Sequence, residues 1–405
     1  MSEWTSIALE DLADDITVGF VGSMTQEYVE SGIPFLRSKN VEPYRINLDD
    51  LCYVSSEFHQ KIKKSALSPG DVVIVRTGKP GAAAIIPESF PVANCSDLVI
   101  VRPSPKLDRN FLIYYLNSIA VRHINSRLVG AVQQHFNIGA ARELKIHCPP
   151  IEEQQEIASV LTSLDRKIEN LRKQNETLEA IAQTLFKHWF VDFEFPNEDC
   201  KPYKSSGGEM VRSESGEIPA GWRVGKFRDI TAVINGRAYK QTEFRKEGTP
   251  IIRIQNLTGK GQTVYSDLKL DKNKYISKGD LIYAWSATFG PYIWRGAKSI
   301  YHYHIWKLNC FNPALKYYLY IHLKKVSDRV QGQGTGSIFT HITKELMETQ
   351  ELFIPDDKLM ERWHDVAKSI FDKIMLNHEQ IETLTKTRDV LLPKMMSGKL
   401  RITTS

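Results

Sequence analysis

Along residues 157–189 the apolar positions alternate in spacings of four and three: Ile157, Leu161, Leu164, Ile168, Leu171, Asn175, Leu178, Ala182, Leu185 and Trp189. That spacing keeps one face of an α-helix apolar and defines a heptad seam. The same stripe returns 206 residues later as Trp363, Ala367, Ile370, Ile374, Asn377, Ile381, Leu384, Arg388, Leu391 and Met395. Two such seams in one chain predict helices that pair with each other. Antiparallel pairing with full overlap sets Asn175 opposite Asn377, Trp189 near Trp363 and Leu171 near Ile381. The matched asparagines favour this register, because a polar seam residue destabilises a coiled coil unless its partner can hydrogen-bond. The alternative is that each helix packs only on its own globular unit.

The apolar and polar pattern repeats outside the helices as well. Ser31–Asn40 (Ser-Gly-Ile-Pro-Phe-Leu-Arg-Ser-Lys-Asn) resembles Glu247–Asn256 (Glu-Gly-Thr-Pro-Ile-Ile-Arg-Ile-Gln-Asn) at an offset of 216. Leu67–Ile74 matches Ile276–Tyr283 at 209, Trp4 and Asp11 match Trp222 and Asp229 at 218, and Tyr114–Leu116 matches Tyr317–Leu319 at 203. Small loop insertions produce such drift. The predicted order is a first globular unit over 1–148, a long helix over 149–195, a linker over 196–217, a second globular unit over 218–353, and a second helix with a tail over 354–405. The linker is polar and turn-rich, so it is expected to be exposed and irregular. The runs 71–76 and 280–285 follow a Gly-Asp turn and read as strands; 111–119 and 314–323 carry helical periodicity. The expected fold is α+β: two similar mixed α/β units, separated by two long helices in an antiparallel intramolecular coiled coil with pseudo-two-fold symmetry. The seam from residue 157 to 189 would span about 48 Å at 1.5 Å per residue, more than one turn of B-DNA at about 34 to 36 Å.

Composition sharpens this picture in four respects. The 405 residues suffice for two or three domains, and no apolar run reaches membrane-spanning length. The five cysteines, Cys52, Cys95, Cys148, Cys200 and Cys310, are scattered without a C-x-x-C pair, which points to reduced, structural thiols. The start of the chain lacks a secretory pattern, so a cytoplasmic location is expected. A net charge of +5 is too weak for nucleic-acid binding by charge alone, so any DNA contact must come from local patches.

The segments Thr184–Phe193 and Leu391–Leu400, Pro149–Gln155 and Gly216–Trp222 together resemble the specificity subunits of type I restriction–modification systems over nearly the whole chain. The resemblance implies that each globular unit is a target-recognition domain reading one half of a split, asymmetric site in double-stranded DNA. It implies that the helices set the spacing and dock two modification (methyltransferase) subunits, with restriction subunits joining outside. It implies no cofactor on this chain; S-adenosylmethionine, magnesium and ATP would belong to partner subunits. The chain departs from the family at the start of the second helix, where Pro355-Asp356-Asp357-Lys358-Leu359-Met360 replaces a Pro-x-x-x-Glu-Gln pattern. The seam persists beyond it.

Base edges are read by Arg, Lys, Asn and Gln, and phosphates are met by Lys, Arg, Ser, Thr and backbone amides. Three stretches in each unit offer this chemistry. The first contains Arg37, Lys39 and Asn40, with Arg253, Gln255 and Asn256 as counterparts; the competing reading is that the repeated Arg and Asn cap a turn. The second follows the 71–76 strand at Arg76, Thr77 and Lys79, against Trp285, Ser286 and Thr288, where the chemistry differs between units as half-sites of different sequence require. The third holds Gln133, Gln134 and His135 in a glycine-containing loop, against Gln331, Gln333, Thr335 and Ser337. Lys61, Lys63, Lys64, Lys324, Lys325 and Arg329 are further candidates for phosphate contacts or simply a solvated face. His302-Tyr303-His304 places two imidazoles on one face of a strand, but no third ligand is evident, so aromatic packing is expected and no metal.

No stretch fits a phosphate-binding G-x-x-x-x-G-K-[ST] loop; Gly78-Lys79-Pro80-Gly81 lacks the leading glycine and the hydroxyl. Cys148-Pro149-Pro150-Ile151 lacks the Asn or Asp expected of an amino-methyltransferase tetrapeptide. A catalytic centre is therefore not expected. Two other readings stay open: a coiled-coil adaptor that binds only protein, and the DNA-recognition part of a single-chain restriction enzyme.

Overall fold

The computed structural model describes residues 4–120, 136–259, 261–286, 289–332 and 343–402. The chain divides into two compact units, one of Met1–Asn170 with Gln380–Ser405 and one of Leu171–Glu379.

In the first unit the run Val72–Val75 is buried at every position, as a strand covered on both faces must be. It sits inside an antiparallel four-stranded sheet ordered Ala83–Ile85, Val72–Val75, Leu98–Pro103, Ala13–Val18. Alternate side chains leave the two faces. Val72, Ile74, Val99 and Val101 pack with Phe111 and Leu112 of the helix Arg109–Tyr115. Val73, Val75, Leu98 and Ile100 face a second sheet through Leu36, Ala93 and Cys95. That second sheet runs Tyr28–Val29, Cys52–Val54, Ile33–Leu36, Ala93–Cys95, Ala66–Leu67, with its Ile33–Leu36 and Ala93–Cys95 strands parallel. A third ladder pairs Thr5–Ala8 with Lys145–Cys148.

The second unit uses the same strand order. Its central sheet runs Gly290–Ile293, Leu281–Ala284, Ile305–Cys310, Thr231–Asn235. Its second sheet runs Val264–Ser266, Thr249–Ile252, Ser299–Tyr301, Tyr275–Ile276, again with one parallel pair. Arg223–Lys226 pairs with Glu351–Ile354. Among the described residues the first unit adds the edge strand Tyr28–Val29 and a small ladder of Val41–Glu42 with Arg45–Ile46, and the second adds a hairpin of Met210–Ser213 with Gly216–Pro219.

The two seams form helices of 40 residues each, α1 (Ile151–Phe190) and α2 (Asp357–Met396). In the first unit Ile157, Ala158 and Leu161 from the start of α1 share a core with Leu392, Met395 and Met396 from the end of α2 and with Trp4. In the second, Ala182, Phe186, Trp189 and Phe190 from the end of α1 share a core with Leu359, Trp363, Ala367 and Phe371 from the start of α2 and with Trp222. Within each unit the helices are therefore antiparallel. Asn377 Nδ2 donates to Asn175 Oδ1 at 2.9 Å, both side chains being buried. Trp189 and Trp363 lie 5.5 Å apart between ring centroids. Leu171 and Ile381 fall in different units.

The two helix openings differ. Gln154 is buried and accepts from Asp108 N at 2.9 Å while donating to Lys106 O and Pro149 O at 3.2 and 2.9 Å. Its counterpart 206 residues on, Met360, is buried in apolar surroundings, and the cap passes to Asp356, whose Oδ1 accepts from Leu359 N at 2.9 Å. The departure from the family pattern thus exchanges a buried amide network for an acidic N-cap and an apolar plug.

A second exchange lies between the seam residue Arg388 and Asp165, which flanks the seam of α1. In the first unit Arg388 Nη1 donates to Asp165 Oδ1 at 2.7 Å, Tyr114 OH donates to Asp165 Oδ2 at 2.6 Å, and the guanidinium lies over the Tyr44 ring. Burial raises the Tyr44 and Tyr114 hydroxyls, to about 12 in Tyr44. The equivalent positions in the second unit are Phe371, Ala182 and Tyr317, where Phe371 and Tyr317 stack at 4.7 Å and 9°. One junction is ionic and its copy is aromatic.

The expectation of an irregular linker is corrected. Met210–Ser213 and Gly216–Pro219 form an antiparallel hairpin, turned at Gly216 with φ 114°, and Phe195 stacks on Tyr203 and Trp222 at 4.5 and 5.7 Å. The polar composition describes the hairpin's solvent face, while Ile218 and Phe195 anchor the other side in the core.

Candidate nucleic-acid interface

The first candidate stretch is a capped turn in both units. Asn40 Oδ1 accepts from Arg37 N at 3.0 Å, and Nδ2 donates to Asn47 O and Asp49 O at 3.2 Å each. Asn40 is fully buried. In the second unit Asn256 Oδ1 accepts from Arg253 N at 2.9 Å, and Nδ2 donates to Gly261 O at 3.1 Å. The competing reading of these asparagines therefore describes their geometry: their amides hold the turn, and Asn40 leaves no surface for a base edge in this conformation. Asn40→Ala is expected to cost about 1–2 kcal/mol in denaturation experiments, as removal of a cap that satisfies buried backbone groups does. A variant with unchanged stability and altered DNA preference would instead give Asn40 a reading role.

Around this turn the arginines and lysines differ in commitment. Arg37 Nη2 donates to Asp50 O at 2.5 Å, and Lys39 pairs with the Asp50 carboxylate. Arg253 Nη2 donates to Gln262 O at 2.8 Å, and the Gln255 carboxamide, its oxygen turned to the guanidinium, accepts from Arg253 at 3.0 Å. Lys39, Gln255 and Asp50 remain exposed.

The turn converges with the second candidate stretch. Ser38 Oγ donates to Asp97 O at 3.2 Å, Arg76 Nη1 lies 3.7 Å from Asp97 Oδ1, and Arg76 N–H and C=O groups engage Phe136 through Nε to O at 3.3 Å and O to N at 3.1 Å. Asp97, at φ 53°, thus holds the 37–40 turn and the loop after Val72–Val75 together, and Thr77 and Lys79 project from that loop into solvent. Gly78, at φ 90°, has open space on its Cβ side, so only its backbone conformation requires glycine.

At the matching place in the second unit the chemistry is aromatic. Trp285 Nε1 donates to Tyr303 O at 2.8 Å, and its ring lies 5.8 Å from Trp306 and 5.3 Å from His304. His302 and His304 are 4.9 Å apart. They sit on a bridge and turn rather than on a continuous strand, because the chain must turn between Ser299–Tyr301 and Ile305–Cys310. Burial, with His304 and Arg253 nearby, lowers the His302 pKa to about 4, so its ring is neutral at pH 7 and packs as an aromatic. Among the described residues no group of three or more His, Cys, Asp or Glu is arranged to hold a metal. Ser286 is half-buried. Arg237, missed by sequence reasoning, binds Glu243 through two hydrogen bonds at 2.7 and 3.1 Å and lies over Tyr239. Only the pairing of strands reveals that Arg237 bridges to His302.

Gln133, Gln134, His135, Thr288, Gln333, Thr335 and Ser337, and the Gln331 side chain, lie outside the described residues. Of the charge clusters, Lys61, Lys63 and Lys64 are exposed. Lys324 instead pairs with Glu179 of α1 at 2.9 Å, and Lys325 lies over the Phe186 ring. These two brace the helix Lys316–Gly332 against α1 rather than offering open cations.

A scaffold used twice, with the same strand order and different side chains where its loops converge, defines a duplicated recognition protein carried on paired helices. The chain belongs to the type I restriction modification DNA specificity domain family, whose model matches residues 1–180 and 219–386. It is 25% identical to the type I restriction enzyme MjaIX specificity subunit of Methanocaldococcus jannaschii, over 99% of this chain and 94% of that one. It is also 25% identical to the type I restriction enzyme HindI specificity subunit of Haemophilus influenzae, over 64% and 69%. In fold it is similar to the type I restriction–modification S subunit from M. genitalium, with a TM-score of 0.59 at 15% identity, over 99% of this chain and 97% of that one.

Proposed function

We propose that this chain is the sequence-specific DNA-binding specificity subunit of a type I restriction–modification complex, that each unit reads one half of a bipartite, asymmetric target, and that the helices dock two modification subunits while restriction subunits join the full complex. The observation that carries this reading is the repeated strand order with divergent loop chemistry: Arg76 and Asp97 on one copy, Trp285 and His302 on the other. Equal scaffolds with unequal reading surfaces suit a target whose halves differ in sequence. The subunit would contribute no catalytic group of its own; S-adenosylmethionine, magnesium and ATP would act on its partners. No described helix is long and apolar enough to cross a membrane.

Exchanging residues 1–148 for the corresponding part of another family member is expected to change one half-site and leave the other intact. Methylation mapping in cells carrying the modification subunits reads this directly; altered sequence in both halves, or in neither, would defeat the modular reading. The reconstituted complex should also shift a specific duplex from a randomised pool, and a complex without sequence preference would favour a protein-only adaptor.

A further inference from the structure

We infer that the helical seam selects its partner: α1 is built to pair with α2 and to reject a second copy of itself, so that the duplicated chain closes on itself instead of joining other copies through like helices. The problem this solves follows from the repeat. Two seams related by a gapless 206-residue offset present nearly the same apolar pattern, so in a purely apolar seam only the covalent tether, through effective concentration, would favour α2 over α1 of another copy.

Two polar pairs remove that equivalence. Within one unit Asn175 meets Asn377 at 2.9 Å, with both side chains buried. Within the other, Asp165 meets Arg388 at 2.7 Å, supported by Tyr114 at 2.6 Å. Replacing α2 by a second α1 in the same register substitutes Leu171 for Asn377 and Ala182 for Arg388. Asn175 would then face Leu171, and Asp165 would face Ala182. Replacing α1 by a second α2 sets Asn377 against Ile381 and Arg388 against Phe371. Every like-with-like pairing therefore sets a carboxylate, a guanidinium or a carboxamide against apolar atoms, whereas the α1–α2 pairing gives Asp165 and Arg388 their ion pair and joins the two carboxamides by one hydrogen bond, leaving Asn175 Nδ2 and Asn377 Oδ1 without a partner. The asymmetry is contained in the exchange of Asp165 and Arg388 for Phe371 and Ala182, since the latter two carry no charge and tolerate any apolar neighbour. Matched polar seam residues set pairing choice in coiled coils in the same way.

The test uses the full-length chain and reads association, so its outcome is independent of whether the protein reads DNA. A photo-crosslinking amino acid at Leu178, which lies on the seam of α1, reports by peptide mass spectrometry whether the facing peptide comes from α2 or from α1. With the native seam, crosslinks should go to α2, and sedimentation velocity should show no dimer that grows with concentration. The fourfold variant Asp165→Phe, Arg388→Ala, Asn175→Leu, Asn377→Leu should gain α1-to-α1 crosslinks and a dimer population at least tenfold above the native chain. A second comparison does not depend on that variant folding: Asp165→Arg and Arg388→Asp separately should raise self-association or lower stability, and the two together should restore the native behaviour. Like-helix crosslinks in the native chain, a fourfold variant that crosslinks only to α2, or a charge exchange that fails to restore the singles would each overturn the inference.

Discussion

Trp363→Ala is expected to remove about 3–5 kcal/mol from the stability of the second unit, the range for truncating a fully buried tryptophan. The indole has no exposed surface, and Phe190, Trp189 and Phe186 surround it at 5.0, 5.5 and 6.0 Å between ring centroids. Those rings come from the end of α1, while Trp363 comes from the start of α2, so the cavity would open where the helices and the globular part share one core. Far-UV circular dichroism during guanidinium unfolding, with hydrogen exchange at the amides of Glu351–Ile354, locates the loss. A change below about 1 kcal/mol would mean that the aromatic cluster repacks around the void and that its order is not what holds the helix ends.

The second large effect is expected from Asp165→Ala. It leaves the Arg388 guanidinium without its part-buried acceptor and removes the Asp165 carboxylate from Tyr114. Breaking a buried pair by removing one member costs about 3–5 kcal/mol. Because both side chains retain about a fifth of their surface, and Arg388 keeps Asp389 at 2.7 Å, a loss of about 2–3 kcal/mol is expected after allowing for solvent. Adding Arg388→Ala should recover part of it, since the orphaned charge is then gone; a double variant no better than the single one would show that packing and not charge dominates this site. Urea midpoints of the four proteins complete the cycle.

The seam, the repeat and the run of buried strand residues at 72–75 were all legible in the sequence because each is a local periodicity. The offset drift from 218 at the first strands to 206 at the helices reappears as short loops of unequal length on a common strand order. The hairpin at 210–219 was not legible, because its two four-residue strands are too short to show a sustained alternation and owe their place to Ile218 and Phe195 beneath them. Arg388 interrupts the apolar seam in the sequence, but nothing in the pattern names Asp165 as its mate, since charge partners depend on packing between distant segments. The same reason explains Lys324, which composition offered to DNA and the fold gives to Glu179. Asn40 and Asn256 were found by repetition, but repetition does not distinguish a residue kept for a turn from one kept for a ligand.

Gln154 and Met360 hold the same place at the two helix openings and hold it by different means. Hydrogen bonds are directional, so the three made by the amide set the angle at which α1 leaves its preceding loop, and any tilt must break one of them. A thioether has no preferred bearing and adapts to whatever surface it meets. The first joint is thereby keyed by one amide, whereas at the second the orientation of the helix start falls to the Asp356 cap, the Asn312–Asp357 and Arg362–Pro196 bonds and the apolar packing around Trp363.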